Sequence, residues 1–221
     1  MKILAFQNAF GGNATARIAR AEVVSIYGPG IGPASASQVA PLNGFYTTTF
    51  AGVQVTVNGM NTPLLYVSAN QINAVLPMEL PYDIAATVRI TNGTSSSPDY
   101  PVWLLGSAPE AFPTVFNQDG TINSMSNPAK SGSIVTFYAT GWQTYLYPYA
   151  DGQVASSAQN ICLTGLCPVV KTTTIYPASG TVLYGGVAPG IVAGVSQLNV
   201  YHRFGPAPLQ PISVQLFRRG A

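Results

Sequence analysis

Charge is what this sequence has least of. Asp, Glu, Lys and Arg make up 7% of its 221 residues, against about a quarter in an ordinary soluble domain. Nine basic and seven acidic residues leave a net charge of +2. Nucleic-acid binding needs a basic stripe, so no nucleic-acid partner is expected. Arg218-Arg219 is the one basic cluster and reads as a solvated tail. Histidine occurs once, at His202, and cysteine twice, at Cys162 and Cys167. A structural zinc site needs four ligands, more than these three supply. No Asp-rich loop offers the six or so oxygens of a calcium site. Gly28-Pro-Gly-Ile-Gly-Pro33 lacks the Lys and the following helix of a phosphate cradle. Neither a metal nor a cofactor is expected. Long apolar runs are missing too: no stretch approaches the 18 or so residues of a membrane span. Met1 to Phe6 is too short for a signal peptide. Any export signal is therefore expected outside this chain.

What is present is apolar, turn-rich and neutral. Hydrophobic residues are 47%, with Gly 22 and Pro 18. That is ample for a core and excludes disorder of the highly charged kind. The solvent face must then be made from Ser, Thr, Asn, Gln and Tyr, as is usual for secreted β-rich proteins. Cys162 and Cys167 enclose Leu-Thr-Gly-Leu. A disulfide closing so small a loop contributes at most about 2 kcal/mol; it is the expected state, with free thiols the alternative. A disulfide implies an oxidising compartment, so an extracellular or cell-surface location is expected.

Helix signals are nearly absent, and period-two alternation dominates. Val53, Val55 and Val57 alternate with Gln54 and Thr56, then meet Asn58-Gly59, a strong hairpin turn. Leu64 to Val67 is read as the second strand of that hairpin. Further strands are expected at Ile3–Phe6, Glu22–Tyr27, Phe45–Phe50, Ala85–Thr91 and Tyr100–Leu105. After Gly106-Ser107-Ala108-Pro109 the pattern restarts. Ser133–Ala139 repeats the Val23–Tyr27 run, and Gly141 closes it as Gly28 closes the first. Leu65-Tyr66 with Gln71-Ile72-Asn73 is echoed by Leu183-Tyr184 with Gln197-Leu198-Asn199. Tyr27 and Tyr138 are 111 positions apart and Gln71 and Gln197 are 126 apart. The second copy therefore carries insertions, placed near Cys162–Cys167 and Gly185–Gly194. The expected fold is all-β: two tandem immunoglobulin-like β-sandwiches, residues 1–107 and 108–221. Gln71, Asn73, Gln197 and Asn199 are expected to be structural, their amides satisfying backbone groups where a loop enters a strand.

Four ordered motifs, EVVSIYGPGIGP, GVQVTVNGMNTPLLYVSANQINAVLP, FNQDGTINSMSNPAKSGSIVTFYATG and LYGGVAPGIVAGVSQLNV, span nearly the whole chain. In them the sequence resembles the Solibacter uncharacterised C-terminal domain family. That resemblance implies an exported immunoglobulin-like module at the C-terminal end of a large secreted protein, without agreed catalytic residues. Two departures stand out: Ile18-Ala19-Arg20-Ala21 where the family favours Pro-Gly before the Glu, and the aromatic run after Gly141.

No motif gives a reaction. A Ser-His-Asp triad would have to use His202, and Gly194-Val-Ser196-Gln-Leu198 lacks the second Gly of a nucleophile elbow. A glycosidase needs two carboxyls about 5 to 10 Å apart, and no spacing among Glu22, Glu79, Asp83, Asp99, Glu110, Asp119 and Asp151 marks such a pair. Trp142, Tyr145, Tyr147 and Tyr149 could form a strip that stacks on sugar rings or a partner chain, or an aromatic lid over the sandwiches. The expected role is a non-catalytic structural or adhesion module. The alternatives are a carbohydrate-binding module using that strip and a hydrolase with an unrecognised site. Expected partners are a glycan or another protein surface, and self-association would run through sheet edges.

Overall fold

The structure is a computed structural model. It describes residues 1–11, 17–142, 149–161, 169–172, 178–179, 181–201 and 214–217. The described residues are all-β, with no α-helix. The first half carries β1 (Ala5–Asn8), β2 (Arg17–Ala19), β3 (Val23–Tyr27), β4 (Ser37–Gln38), β5 (Thr49–Phe50), β6 (Val53–Val57), β7 (Met60–Asn61), β8 (Leu64–Val67), β9 (Gln71–Val75), β10 (Ile84–Asn92), β11 (Ser95–Ser96) and β12 (Tyr100–Leu105). The second carries β13 (Glu110–Ala111), β14 (Ile134–Thr140), β15 (Gln159–Asn160), β16 (Val169–Thr172), β17 (Ala178–Ser179), β18 (Thr181–Val187), β19 (Val195–Tyr201) and β20 (Val214–Phe217).

In the first half a five-stranded sheet, β1-β3-β9-β8-β4, lies over a seven-stranded one with the path β2-β12-β10-β6-β5. Alternation decides what lies between them. Val53, Val55 and Val57 on β6, Val88 and Ile90 on β10, and Leu104 on β12 point inward. They meet Phe6, Val24, Ile26, Leu64 and Ile72 from the other sheet in one core. The Asn58-Gly59 turn forms with both residues at positive φ, 48° and 79°, as a tight primed turn demands. The hairpin differs from the expected one. Val57 pairs with Met60 and Thr56 with Asn61. The chain then leaves for the other sheet, where Leu64–Val67 pairs with β9. The Thr62 hydroxyl donates to the Val55 carbonyl at 3.0 Å, which satisfies the backbone at the crossing.

The second half repeats the five-stranded sheet as β13-β14-β19-β18-β15, and a three-stranded β17-β16-β20 sheet accompanies it. Every pairing in the two five-stranded sheets is antiparallel, and the registers correspond. Tyr27 faces Gln71 and Ser25 faces Asn73; Tyr138 faces Gln197 and Thr136 faces Asn199. Each sheet carries a bulge at the matching place, skipping Leu65 in one and Leu183 in the other. The closing glycines do not correspond. The shared register sets Gly28 against Ala139, so β14 runs on through Thr140 before Gly141 ends it. Phe137, Leu198 and Val200 face a second core with Val115 and Val187.

The halves meet through a third apolar cluster of Val23, Val75, Ala188, Val192 and Val195. Ala188 and Val192 belong to the Gly185–Gly194 stretch in which an insertion is expected. The added length of β14 brings Thr140 to this seam. Its Oγ1 accepts the Val23 N–H at 2.8 Å and donates to the Gly194 carbonyl at 2.9 Å. Gly194 has φ +121°, and a Cβ there would collide with the Ala21 carbonyl oxygen. At the other end of the seam, the Tyr46 N–H donates to the Gly152 carbonyl at 2.8 Å.

Candidate functional site

The Gln-x-Asn pairs build matching polar stations on the two five-stranded sheets. Asn73 Oδ1 accepts from Gln71 Nε2 at 2.8 Å and from the Ser25 hydroxyl at 3.0 Å. Asn199 Oδ1 accepts from Gln197 Nε2 and from the Thr136 hydroxyl, both at 3.0 Å. Each station ties two neighbouring strands side chain to side chain, rather than capping a loop. All four amide residues are half-buried.

Four of the seven carboxyls gather at the seam. Glu22 is 1% exposed. Its Oε1 accepts from Asn8 Nδ2 at 2.9 Å and its Oε2 from the Ala19 N–H at 2.6 Å. Burial pushes its pKa up to about 8, and the neighbouring Glu110 adds to the rise, while the two N–H donors oppose it. Burial also raises Glu110 above the usual carboxylate range. On the other side Asp151 Oδ1 accepts the Met78 N–H across the seam at 2.7 Å. Its pKa is raised by burial, with Glu79 adding. The fold thus brings Glu22 to Glu110 and Asp151 to Glu79, two pairings that sequence spacing did not mark. Glu22 is too deeply enclosed to meet a substrate, so the first pair lacks the access a hydrolytic site requires.

The aromatic run is placed differently from the strip considered above. Trp142 is 3% exposed, in the second core with Val115, Val135 and Phe137. Gly141, at φ +73°, redirects the chain so that the indole turns inward. A ring so enclosed cannot stack on a sugar. Tyr149 packs against the same core and its hydroxyl donates to the Ser157 carbonyl at 3.2 Å. Tyr145, Tyr147, Cys162, Cys167 and His202 lie outside the described residues.

Two other surfaces offer contact groups. Trp103 is 43% exposed on β12, where its register partners are Ala85 on β10 and Arg17 on β2. Sequence carried that signal: Val102 and Leu104 take the inward positions of the alternation, so Trp103 must face out. The second surface is a groove of about 410 Å³ in the loop between β13 and β14, lined by Asn117, Gln118, Asp119, Asn127, Pro128, Lys130 and Ser133. Its shape is held from within. Asn117 Oδ1 accepts from Asn123 Nδ2 at 2.9 Å, and Asn117 Nδ2 donates to the Asn127 carbonyl at 3.0 Å. Asp119 Oδ1 accepts from the Thr121 N–H and hydroxyl, which holds its pKa below the usual range. Beside the groove Ile122 and Met125 stand 59% and 61% exposed.

No group of three His, Cys, Asp or Glu able to hold a metal occurs among the described residues. No helix among them is long and apolar enough to cross a membrane. Set against protein-family models, curated proteins and solved structures, the chain matches none.

Proposed function

We propose that the chain is a non-catalytic extracellular module with a structural or adhesive role in a larger secreted protein, built as two tandem immunoglobulin-like sandwiches. The seam carries this reading. Apolar side chains from both halves bury one another there, and Thr140 bonds to both halves at once. A joint of that kind transmits load between domains rather than letting them swing. The resemblance of the four sequence motifs to a family of secreted C-terminal modules supports the same reading. Calorimetry of the full chain tests it. A single cooperative transition is expected. Two independent transitions, or turnover in a broad panel of hydrolase substrates, would count against it.

A carbohydrate-binding role is the second reading, favoured by one observation. Trp103 stands 43% exposed on β12, with Ala85 and Arg17 as its register partners, and such a ring can stack on a sugar. A glycan array run with the native chain and with Trp103→Ala checks it: binding lost in the variant supports it, and binding unchanged removes it.

A further inference from the structure

Glu22 is an odd residue to find at a joint. It stands between the end of β2 and the start of β3, one position before Val23, whose N–H crosses the seam to Thr140. Its carboxyl lies against the second half's first strand pair. A Cβ on Gly141 would stand 3.1 Å from Glu22 Oε2 and collide with the Ala108 carbonyl oxygen. Glu110 sits opposite Thr140 in that strand pair. From β1 comes only the neutral amide of Asn8. From β2 and the turn after it come the Ala19 N–H, the exposed Arg17, and Arg20, whose guanidinium lies 4.9 Å from the Tyr82 ring centroid. The second half brings Glu110, Thr140 and, from the outward face of β14, Tyr138. Among the described residues, the titratable group acting on Glu22 across the seam is thus another carboxyl, Glu110.

Burying an ionised carboxylate is costly unless a charge partner or several donors compensate. Two N–H donors compensate in part, and Glu110 works the other way. We propose that Glu22 is a proton-operated latch: with its carboxyl protonated the two halves stay closed, and loss of that proton beside Glu110 opens the seam between Val23 and Thr140. Opening returns the carboxyl to water and separates it from Glu110. In the closed form the carboxyl keeps its proton up to about pH 8, against 4.5 for the ordinary group. Between those limits the open form binds fewer protons. Raising the pH therefore favours opening by up to about tenfold per pH unit, levelling off above the upper limit. The device extends the proposed role, because it makes the stiffness of the joint conditional on pH.

Amide hydrogen exchange of the full chain reads the latch directly. The Val23 N–H reports the seam. The Thr62 N–H, bonded to the Val55 carbonyl at 2.9 Å, reports the first half alone. After correction for intrinsic exchange, Val23 protection should lie below Thr62 protection and fall about tenfold per pH unit from pH 6 to 8. In Glu22→Gln, which cannot ionise, Val23 protection should be level. In Glu110→Gln the fall should remain but begin to level off at lower pH, since the opposing charge is gone. Level Val23 protection in the native chain, or an unchanged slope in Glu22→Gln, overturns the proposal. If Glu22→Gln does not fold, an unmoved profile in Glu110→Gln overturns it alone.

Discussion

At the scale of single residues, neighbours in sequence mislead where neighbours in space decide. Trp142 opens an aromatic run and reads as part of a surface, yet it is a core residue. Replacing a buried large aromatic by Ala costs about 3 to 5 kcal/mol. Trp142→Ala is therefore expected to lower the unfolding free energy by an amount of that size, read as a drop in the urea midpoint at constant m-value. It should leave any glycan binding unchanged. Trp103 was legible, since strand phase alone sends it outward. Glu22 was legible as the residue before a strand but not as a buried acid. Its enclosure depends on Asn8, Glu110 and Gly141, the last two far along the chain, and no local pattern encodes such a meeting. Thr140 is similar: it joins Val23 of the first half to Gly194 of its own, a partnership that exists only once both halves have folded.

At the scale of elements, period-two patterns located the long strands well. Val53–Val57, Ile84–Asn92, Tyr100–Leu105 and Ile134–Thr140 fall where alternation places them. Two-residue strands such as β4 and β13 carry too little pattern to be seen, the strand expected at Phe45–Phe50 is confined to β5 at its end, and β2 pairs in parallel with β12 across a long gap. The repeat was visible because two bulges and two Gln-x-Asn stations fix the same register twice. Those stations make a quantitative test. Asn73→Ala and Asn199→Ala each remove an acceptor of two side-chain bonds. Each should cost about 1 to 2 kcal/mol in a half-buried place, by similar amounts, measured as a shift in denaturant midpoint at constant m-value. A large effect in one half with none in the other would deny that the stations are equivalent. Sheet edges are another matter of element length. Among the described residues, β4, β5, β13 and β15 end their sheets with two residues each, and short edges offer little for another chain to pair with.

At the scale of the whole molecule, scarcity of charge and its placement act together. Of seven acids, four sit at the seam, and all three with a resolved shift there lie above their ordinary values. For such groups the folded state holds protons that the unfolded state has released. Global stability should then decline as the pH rises from about 4.5 toward 8 and level off beyond it. Urea titrations at pH 5, 6.5 and 8.5 check this, with the midpoint expected to be highest at pH 5. The repeat of the five-stranded sheet was legible; the seam between the two copies was not, since the residues that make it differ between them. That difference has a consequence for descent. Leu65 and Leu183 occupy matching bulges, but Leu65 packs into the seam whereas Leu183 stands 47% exposed. Once one copy covers the other, the two are no longer under the same selection. A substitution harmless at Leu183 would be purged at Leu65. Two copies joined in this way stand under unequal constraint on the faces that their own union has made different.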